Sequence, residues 1–260
     1  MSTALRASQR GFGLVELIIA LALGLILILG VTQIFVGAKQ GFVVQQSAAA
    51  MQENARFLLG RMARELRMVN LFGCLDLNRL PAPVAATVPD AFSRPIAYED
   101  ATLTLLTAVP HAQTISSPTT RNASDFGARW LIVTDCRTAD NLRIGTADVP
   151  VGPGDILIPI RQLEYSLHNH AIRARINGAG NRETLIDGVV GLDVSFAMAG
   201  SSEEPHVSGG YVSSVDPANF DRIRSVRLAL QLSDNPSDPD AGSVQAATYS
   251  LVTTLRNRTP

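Results

Sequence analysis

The chain has few of the residues that usually carry chemistry. Its 260 residues include four histidines and two cysteines, and aromatics make up 5%. No phosphate-cradling glycine loop, nucleophile elbow or zinc-binding helix motif occurs. A net charge of −1 gives no strong overall pull toward nucleic acid or anionic lipid. There is no internal repeat or low-complexity tract, and no proline from Met1 to Leu80. These absences leave an enzyme reading with little support. His168 and His170 would share one face of a continuous strand, a spacing a metal could use, but Asn169 between them reads as a turn and no cysteine or carboxylate cluster lies near in sequence. The segment from Asp234 to Asp240 gathers oxygen ligands. Its two prolines and missing closing glutamate favour an acidic surface turn over a calcium loop. Neither a metal nor a cofactor is expected.

The charge is unevenly spread. Residues 1–70 carry a net +4 and the remainder −5, the outline of an acidic head on a basic stalk. The two cysteines are Cys74 and Cys136. If that part of the chain is exported, an even pair favours a disulfide; two buried free thiols are the alternative.

The long apolar run is the informative feature. After a polar, basic stretch ending Arg10-Gly11, the chain from Phe12 to Ala38 is almost wholly apolar, with Glu16 as its only charge. With its flanks the run reaches the roughly 20 residues a helix needs to cross a bilayer. Arg6 and Arg10 precede it, so the positive-inside rule puts the N-terminus in the cytoplasm and the rest outside. A secretory signal peptide would be shorter and would end in a cleavage site after the apolar core. A plain signal anchor fits the length but gives no reason for Glu16, whose carboxylate costs roughly 2.5–3.5 kcal/mol inside a spanning helix unless it sits at headgroup level or has a partner.

The helical pattern continues beyond the run. Ala49, Met51, Ala55, Leu58, Leu59, Met62, Leu66 and Val69 recur near the 3.6-residue period, with Arg56, Arg61, Arg64, Glu65 and Arg67 expected mostly on the other side. The reading is one spine helix from about Gly13 to about Leu71, capped by Gly73 and about 90 Å long. Glycines interrupt it, and the Gly37-x-x-x-Gly41 spacing suits either close helix packing or ordinary tolerance in a membrane. Residues 78–100, with four prolines, read as an irregular loop.

Beyond it, alternating segments predict strands at Thr102–Ala108, Trp130–Asp135, Asp155–Arg161, Leu163–Leu167, Ala171–Ile176, Val189–Met198, Ser225–Leu232 and Thr248–Arg256. Val190, Leu192, Val194 and Phe196 should share one face, as should Val226, Leu228, Leu230 and Leu232. The predicted class is α+β: a long N-terminal helix, half transmembrane and half amphipathic, packed on a mostly antiparallel sheet.

The string Arg10-Gly11-Phe12-Gly13-Leu14-Val15-Glu16-Leu17-Ile18-Ile19-Ala20 resembles the type III signal of type IV prepilins. The resemblance implies cleavage between Gly11 and Phe12 by a prepilin peptidase, N-methylation of Phe12, and an assembly role for Glu16. Gly13 departs from the family's usual Thr or Ser, and Gln33 stands near the place where major pilins often carry a proline. The expected organisation is a leader over 1–11, a transmembrane and assembly segment over 12–38, an amphipathic half-helix over 39–72 and a β-rich head over 73–260.

The C-terminal runs Leu185 to Phe196, Ile223 to Leu230 and Thr253 to Arg258 resemble PilW-type minor pilins and the related J-type pseudopilins. If PilW-like, the resemblance implies a low-abundance subunit that primes pilus assembly. It would join other minor pilins and the major pilin, act with the inner-membrane assembly platform, and sit beneath a tip adhesin, supporting twitching motility and adhesion. It would reside in inner-membrane lipid before assembly and then in surface pili. A J-type pseudopilin of type II secretion is the alternative, and a signal-anchored envelope binding protein or enzyme is the second.

Overall fold

The computed structural model describes residues 13–75, 77, 80–109, 113–239 and 245–255. The chain divides into two units, Met1–Ala49 and Ala50–Pro260.

Helix α1 runs Leu14–Met68 without a break. The lack of proline and the run of leucine, isoleucine and alanine permit this length. It stops three residues earlier than the sequence pattern suggests. Val69 has already left the helix to bridge Thr107, and Asn70 takes the left-handed conformation at φ 61°. Asparagine tolerates that region, so Asn70 and not Gly73 turns the chain. Gly73, at φ 71°, serves the next turn, where a Cβ would collide with Ile158 Cδ1.

The strands, in chain order, are β1 (Ile96–Glu99), β2 (Thr102–Ala108), β3 (Gln113–Thr114), β4 (Thr119–Arg121), β5 (Trp130–Thr134), β6 (Arg143–Gly145), β7 (Val149–Val151), β8 (Ile156–His168), β9 (Ala171–Ile176), β10 (Ala179–Asp187), β11 (Val189–Met198), β12 (Ile223–Ser233) and β13 (Ala246–Thr254). All pairings among them are antiparallel. Strand β8 is the hub of the larger sheet: β2 and β3 pair along one side of it, β5 and β9 along the other. Strands β11, β12 and β13 form a second sheet, and β4 pairs with β7.

Within the second unit, the α1 residues Ala55, Leu58, Leu59, Met62 and Leu66 join one core with both sheets. The larger sheet contributes Leu103, Leu105, Leu163, Tyr165 and Ile172; the smaller contributes Leu192, Val194, Phe196, Val226, Leu228, Leu230 and Leu232. Each fully buried Leu or Met of the helix contributes roughly 1.5–3 kcal/mol. The expected face of β12 is therefore inward in full.

Four further expectations need correction. Val190 is 38% exposed, not inward, because a bulge between Val189 and Gly191 breaks the alternation and turns Val189 into the core instead. The segments Asp155–Arg161 and Leu163–Leu167 are one strand, since Arg161 and Gln162 stay in the ladder with β2. The stretch 78–100 is not wholly irregular: it holds a helical turn at Ala82–Ala85 and strand β1. Its Phe92 packs on Phe72 and Trp130, at centroid distances of 5.1 and 5.3 Å, covering the reverse face of the larger sheet. Finally, Glu65 does not face solvent with the arginines but points at β8, where it meets Arg161.

Candidate assembly segment

The described part of the first unit is a single apolar helix. Every large hydrophobic side chain from Leu14 to Val44 is exposed. A helix apolar on all sides is stable only among lipid chains or other apolar helices. α1 is long and apolar enough to cross a membrane, and the apolar window contains no buried residue. The backbone bonds are closed from the start, with Leu17 N–H donating to Gly13 O at 3.2 Å. Thr32 satisfies its hydroxyl by donating to Ile28 O at 2.8 Å, so it sits in an apolar stretch without an unmet donor. A Cβ on Gly24, Gly30, Gly37 or Gly41 would meet nothing within 4 Å among the described residues, and small residues at such positions let membrane helices approach closely.

Glu16 lies in the first turn of α1 and is exposed. There the unpaired N–H groups and the helix dipole favour an anion. Gly11 and Phe12, the expected cleavage and methylation positions, lie outside the described residues. Glu16 thus presents one fixed carboxylate at the start of an uncovered apolar surface.

The second unit holds its share of α1 by more than apolar contact. Arg161 Nη2 donates to both Glu65 oxygens, at 2.9 and 3.0 Å, beneath Thr107. Tyr165, buried alongside, has its hydroxyl pushed above its ordinary value by burial, against the opposing pull of Arg61 and Arg161. Arg67 Nε donates to Thr253 Oγ1 at 3.3 Å, tying the last turn to β13. Sequence reasoning missed this ion pair, because its partners are 96 residues apart.

Cys74 and Cys136 are joined in a disulfide, with Cα atoms 5.8 Å apart. It ties the segment after α1 to the end of β5 and is exposed on both sides. Beside it, Asp135 accepts from the N–H groups of Arg137 and Thr138 at 2.9 and 3.0 Å. Bonds from Thr138 and then Arg137 hold its carboxyl down to about 2. Asp155 is buried, which by itself would raise its carboxyl. The hydrogen bonds from Gly152 N–H, Arg143 and Asn141 outweigh this and lower it.

In the smaller sheet, Arg224 is 3% exposed and donates to the carbonyls of Glu204, Asp221 and Ser202 at 2.8, 2.8 and 2.6 Å. Burial lowers its pKa. Nothing in the local sequence marked Arg224 as an anchor.

The histidine spacing finds no strand to act on: Asn169 and His170 take φ 49° and 54°, forming the turn between β8 and β9. Asp234 Oδ1 accepts from Gln245 N–H at 3.0 Å and Asp238 N–H donates to Asn235 O, so the described part of the acidic segment is an internally bonded turn. Asp240 and His111 lie outside the described residues. Among the described residues, no three His, Cys, Asp or Glu side chains are grouped to hold a metal.

Residues 6–32 match the family model of the prokaryotic N-terminal methylation motif. No curated protein shows a significant match. Among solved structures, the chain is similar to a type IV-like pilin from Thermus thermophilus at 14% identity, covering 39% of this chain and 67% of that one with a TM-score of 0.26, too slight a likeness to build on. The methylation motif and the bare apolar helix behind it support the type IV pilin superfamily.

Proposed function

We propose that this type IV pilin-like chain is a minor pilin of the PilW type, which primes pilus assembly and sits in a complex at the filament tip. The observation that carries the reading is Glu16, the only charge from Phe12 to Ala38, within the methylation motif and in the first turn of an exposed apolar helix.

The chemistry follows from elementary electrostatics. A prepilin peptidase hydrolyses the Gly11–Phe12 peptide bond at the cytoplasmic face of the inner membrane. The new Phe12 amine carries a positive charge, and methylation keeps it. Burying that amine and the Glu16 carboxylate separately among apolar helices is costly. When the amine of one subunit meets Glu16 of the next, mutual attraction in a low dielectric offsets much of that cost. The pair therefore sets axial register between neighbours, and a subunit out of register leaves a charge unpaired. The head, over 73–260, lies in the periplasm before assembly and is displayed with the filament afterwards. Its partners are other minor pilins, the major pilin and the assembly platform, with an adhesin above. The role is structural, not catalytic.

Deletion with parallel assays of surface pili and protein export tests the reading. Loss of pili and twitching with export intact is the expected result. Loss of export with normal pili would instead identify a J-type pseudopilin. Normal pili and normal export together would overturn both. Mass spectrometry of the mature N-terminus should find N-methylated Phe12, and a retained leader in cells with active peptidase would sink the account.

A further inference from the structure

One face of the larger sheet gathers positive charge in a head that carries −5 overall. On β8 and β9, Leu163, Tyr165, Ile172 and Ala174 turn into the main core. Alternation then sends Glu164, Ser166, Arg173 and Arg175 to the opposite face. Ser166 stands across the ladder from Arg173, and Arg173 stands across from Thr184 of β10. Glu164 stands across from Arg175. Side chains so paired have Cβ atoms roughly 4.5–5.5 Å apart. Arg182 joins them from β10: its Nη1 donates to Ser166 Oγ at 3.2 Å and its Nη2 to Glu164 Oε2 at 3.4 Å.

The acceptors on this face are already committed. Glu164 Oε2 takes hydrogen bonds from Arg175 as well as Arg182, and Oε1 takes one from Gln162. Asp187 and Glu99 stand at the margins, across from Ala171 and Thr102. Among the described residues no carboxylate pairs with Arg173, and its Nε is shut off from solvent with no acceptor. Arg143 and Arg161, by contrast, each have a carboxylate of their own. Ser166 is 3% exposed and forms the floor between Arg173 and Arg182. Its oxygen accepts from Arg182, which leaves its proton to give.

Three guanidiniums against one carboxylate leave two positive charges uncompensated. We propose that Arg173, Arg182 and Ser166 bind a dianionic phosphate group, as the free ion or as a monoester. A carboxylate would cancel one of those charges. A phosphate group cancels both, and its several oxygens suit the planar forks of two arginines together with a hydroxyl. The site is built within the head and does not rest on the pilus reading.

The test is calorimetric titration of the detergent-solubilised full chain with inorganic phosphate, at constant ionic strength and about pH 8, where the ion is dianionic. One saturable site is expected, with acetate binding about tenfold more weakly. Arg173→Gln should weaken phosphate about tenfold with the melting temperature unchanged. Arg173→Lys keeps the charge but loses the fork, and should recover only part of the affinity. If Arg173→Gln lowers the melting temperature, Arg182→Gln should give the same loss of affinity. Arg64→Gln removes an equal charge from the exposed face of α1 and should change nothing. Glucose 6-phosphate separates the two sources. Tighter binding than phosphate identifies a monoester on a larger molecule, and weaker binding identifies the free ion. No saturable binding, acetate equal to phosphate, or equal losses in the Arg64 and Arg173 variants would overturn the proposal.

Discussion

Glu65 and Arg161 meet across the helix–sheet boundary in a two-pronged ion pair at 2.9 and 3.0 Å, and this contact fixes the angular position of α1 over β8. Both side chains are partly exposed, so solvent discounts the pair's strength. Glu65→Ala should still destabilise the detergent-solubilised protein by about 1 kcal/mol, because it leaves Arg161 Nη2 without its acceptor while Nε keeps Thr107. A double-mutant cycle with Arg161→Ala, read by urea unfolding, should show coupling of about 1 kcal/mol. Strict additivity would mean the contact is incidental.

Glu16→Ala should leave leader removal largely intact and prevent incorporation into filaments. Immunoblots of whole cells against sheared filament fractions separate the two steps. Glu16→Asp, which keeps the charge but shortens its reach, should recover part of the incorporation. Full incorporation of the alanine variant would remove the basis of the register argument.

Reduction of the Cys74–Cys136 bond frees a loop spanning a sequence separation of 62 residues. On the chain-entropy model this costs about 4 kcal/mol. The paired Cys74→Ser and Cys136→Ser variant should show the same loss in denaturant, and added reductant should have no further effect on it. Because the bond is exposed, mild reductant should act on the native protein without prior unfolding.

Stability should fall in acid through two identifiable carboxylates. Asp135, held down to about 2, and Asp155, also lowered, both bind protons more weakly in the folded chain than in the unfolded one. Their contribution is complete above the ordinary carboxylate range near 4 and is lost as pH falls toward 2. Unfolding midpoints measured from pH 5 downward should decline, and Asp155→Asn should flatten the slope.

Arg224→Met should cost about 1–3 kcal/mol by stranding the carbonyls of Ser202, Glu204 and Asp221. Hydrogen exchange should then rise across residues 200–212 more than in β12 itself. A uniform rise would contradict an anchoring role.

The parts of the fold visible in the sequence are those where one physical signal dominates. Unbroken apolarity marks α1, and β-branched and apolar runs between turn signals mark the bounds of β2, β9 and β11 to the residue. β10 escaped because its sequence, AGNRETLID, is exposed along most of its length and has no apolar rhythm. β1 was hidden among prolines, and β8 was split at Gln162, whose polar side chain donates to Glu164 of the same strand and accepts from Arg129. At the candidate site Glu16 stood out because a charge in that setting is costly. Glu65 did not, since local periodicity cannot reveal a partner far away in the chain. The disulfide was legible only on the condition of export.

The segment that Arg224 fastens is also sewn to β11, where Phe196 and Val212 exchange backbone bonds at 2.8 and 2.9 Å. Between these stitches Val207 and Gly209 lie open to solvent, with Gly209 at φ 93°. A short epitope or fluorophore-bearing insert placed there would be carried on a secured platform beside β11, at the opposite edge of the smaller sheet from β13. If the chain enters a fibre as proposed, individual molecules could then be counted along it by that label.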